Sequence, residues 1–232
     1  MDGTEFRECR ALLFDFGGTI DSDGEHWLDR FFALYEDMGL AIPRGEIKRA
    51  FYHADTACHA DLGVASLGLR PLLDCHVRFQ FEALSLRDRG LEAELGRRFC
   101  AQAEEMLLAR ASLFERMETR FRLGVVSNFF GNLEVVLEEA GLLEPMETVI
   151  DSGRVGVSKP DAAIFRLALE RLDLSPGKVA FVGDSYERDM IPSAAVGMKT
   201  IWLKGPHPRM PEQAPPVDSV ITRLSELEVL VS

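Results

Sequence analysis

From Phe121 to the end of the chain, short apolar runs alternate with amphipathic stretches, and this alternation restricts the fold more than any other feature. Strands are predicted at Leu123–Ser127, Thr148–Asp151, Lys178–Gly183, Thr200–Leu203 and Ser219–Ile221. Helices are predicted between them at Asn132–Ala140, Asp161–Leu172 and Glu187–Val196, with Leu224–Val231 closing the chain. Strands that alternate with helices form a parallel, doubly wound sheet, and such α/β sheets take their ligands at the carboxyl ends of the strands.

An earlier apolar run, Ala11–Phe16, ends in Gly17-Gly18-Thr19, as expected of a buried strand entering a tight loop. Between about Ser22 and Leu108 the pattern is helical. Stripes recur at Trp27, Phe31, Leu34 and Met38, at Leu73, Val77, Phe81 and Leu84, and at Leu95, Phe99, Ala103 and Met106. The Trp27–Phe32 stripe reads as core packing, and the stretch as an all-helical insert. Gly205–Pro216 holds five prolines and reads as a surface loop.

A chain of 232 residues buries a full core as one domain, or as one domain with a smaller insert. The formal charge of −12 argues against a nucleic-acid partner and against an anionic membrane surface, both of which call for surplus Lys and Arg. No apolar run approaches the ~20 residues that cross a bilayer. The N-terminal MDGTEFRECR lacks the basic start and apolar stretch of a secretory signal, so a cytoplasmic location is expected. Cys9, Cys58, Cys75 and Cys100 are then expected as reduced thiols.

Four motifs fall where strands end. In Phe14-Asp15-Phe16-Gly17-Gly18-Thr19, an acidic side chain precedes two glycines whose backbone N–H groups can close on an anion. Val126-Ser127-Asn128 offers a hydroxyl and an amide to phosphoryl oxygens, or else a helix N-cap. In Ser158-Lys159-Pro160-Asp161 the first-turn residues Pro160 and Asp161 hold Lys159 at a helix mouth, where its charge can neutralise a phosphoryl group. Gly183-Asp184-Ser185 with Asp189 adds two carboxylates, hard oxygen ligands of the kind Mg²⁺ takes.

In this order the motifs resemble those of the haloacid dehalogenase superfamily of phosphohydrolases, over Arg10–Ile20 and about Phe121–Ser232. The resemblance implies a Rossmann-like catalytic core over residues 1–21 and 109–232, with an α-helical cap over 22–108 that closes on substrate. It implies Asp15 as the nucleophile of an aspartyl-phosphate, with Ser127 and Lys159 binding the phosphoryl group and Gly18 and Asn128 beside the substrate. Mg²⁺ would be held by Asp15, the carbonyl of Gly17 and Asp184, with Asp189 close by. The partner would be a small phosphorylated metabolite; the oligomeric state is left open.

The chain departs from the family pattern at one position. Family phosphatases carry a second aspartate two residues after the first, which protonates the leaving group; here that residue is Gly17. General acid–base help is worth roughly 10²–10⁴ in rate. Either hydrolysis is slow, or another group substitutes, or the leaving group needs little protonation. Asp21 and Asp23 lie just beyond, to reach inward or to cap a helix. A positive φ at Gly17 would resist any side chain there. Three other readings stay open: a weakly active or non-catalytic phosphate-binding protein; a C–P bond hydrolase using Lys48, the insert's sole lysine, as a Schiff base; and a dehalogenase proper, against which Gly183-Asp184 speaks. Cys58-His59 and Cys75-His76 raise zinc, although their spacing fits no standard finger. Tyr52, His53, Asp55 and Arg70 are candidates for the substrate-facing side of the insert.

Overall fold

The apolar runs become strands because each can be covered on both faces. The computed structural model describes residues 6–210, 212 and 217–231. The reading of the N-terminus as free of a signal rests partly on residues 1–5, and the proline-rich loop partly on Pro211 and residues 213–216; these lie outside the described residues. The strands are β1 (Ala11–Phe14), β2 (Arg122–Ser127), β3 (Met146–Asp151), β4 (Val179–Gly183), β5 (Lys199–Leu203) and β6 (Ser219–Ile221). They form one six-stranded sheet in the order β3-β2-β1-β4-β5-β6, every pairing parallel.

Period-two alternation divides the sheet residues between two cores. Leu12, Phe14, Leu123, Val125, Ala180 and Val182 face one side, where α5 (Leu133–Glu139), α9 (Leu227–Leu230) and the helical insert pack. Ala11, Leu13, Val126, Val179 and Phe181 face the other, against α7 (Ala162–Leu172), which follows the single-turn α6 (Ser152–Val155). The chain therefore winds away from β1 in both directions. The crevice where the winding reverses lies above β1, between the ends of β2 and β4.

The insert consists of α1 (Trp27–Asp37), α2 (Arg44–Ala60), α3 (Leu69–Ala83) and the start of α4 (Arg89–Glu118). Leu108, the expected end of the insert, lies inside α4, which runs unbroken for 30 residues. Its early turns bury Leu95, Phe99 and Ala103 among the insert helices, and its last turns reach the sheet. There Phe114 packs edge-on against Phe14, with ring centroids 5.2 Å apart. Among the described residues no helix is long and apolar enough to cross a membrane.

Two expected elements end differently. The first strand stops at Phe14, because the Asp15 carboxylate folds back to accept the Phe16 N–H at 2.7 Å and opens a turn. The helix expected over Glu187–Val196 divides into a wide turn, Tyr186–Met190, and a short α8 (Ile191–Ala195). The widening lets Asp189 turn inward, where it is fully buried.

Candidate active site

Because β1 pairs with both β2 and β4, the residues ending these strands meet in one place. Asp15, Asp184 and Asp189 bring carboxylate oxygens within 4.8 Å of one another, the one group of three such ligands among the described residues. Close packing against two glycines makes this possible. A Cβ on Gly18, which sits at φ +87°, would lie 2.7 Å from the Asp184 carboxylate, and one on Gly183 would lie 2.4 Å from Asp189 Oδ2. Thr19 Oγ1 donates to Asp184 Oδ1 at 3.2 Å, and the Ser185 N–H donates to Asp189 Oδ2 at 2.9 Å.

Lys159 enters from the mouth of α7, whose N-cap is Asp161. Its ammonium is 2.8 Å from Asp15 Oδ1 and 2.6 Å from Asp189 Oδ1. Ser127 Oγ donates to the same Asp15 oxygen at 2.7 Å. All three donors to Asp15, namely Phe16 N–H, Ser127 and Lys159, thus converge on Oδ1 and leave Oδ2 without a protein donor among the described residues. Burial works against the Lys159 ammonium, but Asp15 and Asp189 outweigh it and hold its pKa above the ordinary lysine value. Burial, followed by the charges of Asp189 and Asp15, pushes Asp184 well above the carboxylate range. Burial likewise raises Asp189, to about 6, against the pull of Lys159.

Three carboxylates, two buried and Asp184 half-buried, with one lysine are short of positive charge, and all three offer hard oxygen. That donor set fits a divalent cation such as Mg²⁺. The fit has a thermodynamic consequence. Asp189 binds a proton more tightly folded than unfolded, where its value is near 3.8. Protein stripped of divalent cations is therefore expected to lose stability as pH rises through about 6. Added Mg²⁺ is expected to raise Tm more at about pH 7.5 than at about pH 5, where protons already neutralise the cluster. An equal shift at both values, measured by scanning calorimetry, would contradict this.

Two residues expected beside the substrate are otherwise engaged. Asn128 donates from Nδ2 to the Lys159 carbonyl at 2.9 Å and accepts the Lys159 N–H on Oδ1 at 2.7 Å, so in this structure it clamps the lysine. The Gly18 N–H is given to Asp21 Oδ1 at 2.7 Å. Gly17 lines the cavity with φ −70° and ψ 120°, an extended backbone open to any residue, so the positive φ that would have barred a side chain is absent. Asp21 does not reach inward. Fully buried, it also takes the Trp27 indole N–H at 2.5 Å and Arg30 Nη1 at 2.9 Å, and ties the Gly18 turn to α1. Asp23 pairs with Arg110 at 2.7 Å and accepts the Leu224 N–H at 2.9 Å.

A cavity of about 410 Å³ opens over Asp15 and is walled by both the sheet ends and the insert. Tyr52 and Asp55 line it, as does Lys48; His53 and Arg70 do not, and Arg70 pairs with Asp74 at 2.9 Å. The zinc reading fails on geometry. Cys58 lies against Cys75, but His59 is tilted against the Phe130 ring, and His76 is bonded to Asp55 and Gln80. His26 also lines the cavity; its Nδ1 accepts the Leu28 N–H as the cap of α1, and burial holds the ring's pKa below the ordinary imidazole value.

Sequence reading missed the indole edge of Trp27, the pair Phe129-Phe130, Gly205 and residues 207–210, all of which line the cavity. Topology offered a signal for all but Trp27. Phe129-Phe130 and residues 205–210 follow the carboxyl ends of β2 and β5, where such sheets place their sites. Trp27 gave none, since it looks like core and is 94% covered, at 6% relative exposure.

Comparison with known proteins shows the family and the fold. The family model described as haloacid dehalogenase-like hydrolase matches residues 9–197. A haloacid dehalogenase-like hydrolase domain-containing protein 3 of Bos taurus is 38% identical over 121 residues, 51% of this chain and 48% of that protein. A pyrimidine 5'-nucleotidase of Escherichia coli (strain K12) is 34% identical over 122 residues, 52% of this chain and 54% of its own. The chain thus spans about half the length of these curated relatives. In fold it is similar to a dehalogenase solved with an intermediate complex, at TM-score 0.66 and 17% identity, covering 97% of each chain.

Proposed function

The chain belongs to the haloacid dehalogenase-like hydrolase family, and from that premise we propose that it hydrolyses a small phosphorylated metabolite through an aspartyl-phosphate on Asp15. The observation that carries this reading is the convergence on Asp15. Serine, lysine and a backbone N–H fix one carboxylate oxygen, while the other stays open beside two further carboxylates.

In the first step an oxygen of Asp15 attacks phosphorus, a P–O bond to the aspartate forms, and the ester P–O bond breaks with its electron pair left on the departing oxygen. Ser127 and Lys159 stand where they can follow the phosphoryl oxygens as charge builds on them. In the second step water attacks phosphorus, releases phosphate and regenerates the carboxylate. Asp15, Asp184 and Asp189, with the Gly17 carbonyl, would hold Mg²⁺. Bound there, the ion supplies charge neutralisation for a dianionic phosphoryl group. Asn128 keeps Lys159 in place, and the walls contributed by the insert limit water.

The carboxylate cluster favours phosphate chemistry over carbon–halogen cleavage. Lys48 lines the cavity but is an exposed residue, unlike the enclosed lysines that serve as amine nucleophiles. The test is turnover of an aryl phosphate, whose leaving group needs no acid, with and without Mg²⁺. Turnover that EDTA abolishes and Mg²⁺ restores is expected. A folded protein with no turnover in either condition would favour the non-catalytic reading.

Gly17 makes leaving-group departure the expected weak point, so kcat/KM should fall steeply as leaving-group pKa rises. The nearest atoms to a Cβ at Gly17 would be those of the Trp27 indole, at 3.4–3.9 Å, which is ordinary contact. Gly17→Asp is therefore expected to fold, to flatten that dependence and to speed alkyl phosphates by roughly 10². An unchanged slope in the folded variant would mean that another group already supplies the proton.

A further inference from the structure

The face of α2 toward the cavity carries Lys48, Phe51, Tyr52 and Asp55, spaced as one stripe of a helix. Behind Asp55 runs a chain of hydrogen bonds through the middle of the insert. Tyr35 Oη on α1 donates to Gln80 Oε1 at 3.2 Å. Gln80 Nε2 lies 2.9 Å from His76 Nδ1, both on α3, and His76 Nε2 lies 3.1 Å from Asp55 Oδ1. An amide nitrogen can only donate, so Nδ1 accepts; the ring proton then sits on Nε2 and points at Asp55. The chain of donors runs one way, from phenol to carboxylate.

Tyr35, Gln80 and His76 are all 0% exposed. The His76 ring is stacked on Phe31 with centroids 5.6 Å apart, and lies 5.1 Å from Phe51 and 6.3 Å from Trp27. A polar chain buried among aromatic rings is costly unless every member is satisfied, and apolar side chains would fill the same space without that cost. What the chain does is fix Asp55, whose side chain is 32% exposed. Oδ1 is held by His76, and Oδ2 carries no protein donor among the described residues. A carboxylate oxygen accepts hydrogen bonds, so what Oδ2 can take is a donor from a ligand.

We propose that Asp55 is a substrate-binding residue, positioned by His76, and that the substrate is a phosphate monoester whose organic part carries a hydroxyl or amino group for this carboxylate. This rests on the phosphatase reading above. Asp15 and Asp55 line the same cavity of about 410 Å³, which suits a small metabolite bridging them.

Paired esters of equal length, one bearing a hydroxyl and the other its deoxy analogue, test the proposal on the Mg²⁺-loaded protein. A hydrogen bond to a charged group is worth enough for the wild type to favour the hydroxylated member by roughly tenfold or more in kcat/KM. In Asp55→Ala and Asp55→Asn the ratio is expected to fall to near one. In His76→Asn it is expected to fall as well, since Asp55 loses its orienting donor. A general loss of stability would lower both rates without moving their ratio. A wild type without the preference, or folded Asp55 variants that keep it, would overturn the proposal. If the wild type also turns over a donor-free aryl phosphate, that failure belongs to Asp55 alone. No turnover of any ester would instead overturn the phosphatase reading and this proposal with it.

Discussion

Asp15→Asn is expected to lower phosphate release by on the order of 10⁴-fold or more, the scale seen when a nucleophile is removed from a preorganised site. The amide keeps the volume and the oxygen that receives Ser127 Oγ and the Phe16 N–H, so the β1 end should keep its shape. It also withdraws one negative charge from a cluster in which Asp15 helps to push Asp184 and Asp189 upward. The variant should therefore fold at least as readily as the parent in the absence of Mg²⁺. A well-folded Asp15→Asn protein that retained a sizeable fraction of parental turnover would falsify the assignment of the nucleophile.

Lys159→Met is the second large effect, and it should act on stability and activity together. The ammonium is bonded to both Asp15 and Asp189 on a lysine that is 3% exposed, and the methionine leaves these two buried carboxylates without their cation. Breaking a buried pair from one side typically costs about 3–5 kcal/mol. The loss should grow with pH, because Lys159 pulls the Asp189 carboxyl down in the parent and without it an ionised Asp189 is left buried and unpaired. Two treatments should restore part of it, namely lowering the pH, which protonates the cluster, and adding Mg²⁺, which neutralises it. Activity should not return with stability, because the charge that meets the transferring phosphoryl group is gone. Denaturant melts at two pH values, with and without Mg²⁺, check the first claim; a Lys159→Met protein as stable as its parent at neutral pH would contradict it.

The parts legible in the sequence were those set by local pattern. The six strands stand within two residues of the expected bounds because each is a short apolar run stopped by a glycine or a polar residue; Asp15, Ser127 and Asp184 stand at the ends of such runs, and Lys159 and Asp189 in the loop or turn that leads into the next helix. Other features depend on contacts far apart in sequence. Asn128 reads as a phosphate ligand until Lys159, 31 residues on, is seen to take both ends of its amide. Asp21 reads as a spare acid until Trp27 and Arg30 close on it. The core stripe of α2 is weak, because Ile47, Ala50, Phe51, Ala54 and Cys58 are mostly small, and Phe51 also lines the cavity beside Lys48, Tyr52 and Asp55. The polar chain behind Asp55 joins three helices, and no periodicity announces it.

Where the atoms of water go in a single turnover tests the nucleophilic role of Asp15 most directly. Excess protein is mixed with a phosphate monoester in water enriched in heavy oxygen, quenched in acid and digested for mass spectrometry. The expected result is a transient phosphoryl group on the peptide containing Asp15, heavy oxygen in the released phosphate, and none in the aspartate itself. Heavy oxygen in the Asp15 carboxylate or in the product alcohol, or phosphate released with no phosphorylated peptide at any time point, would contradict it.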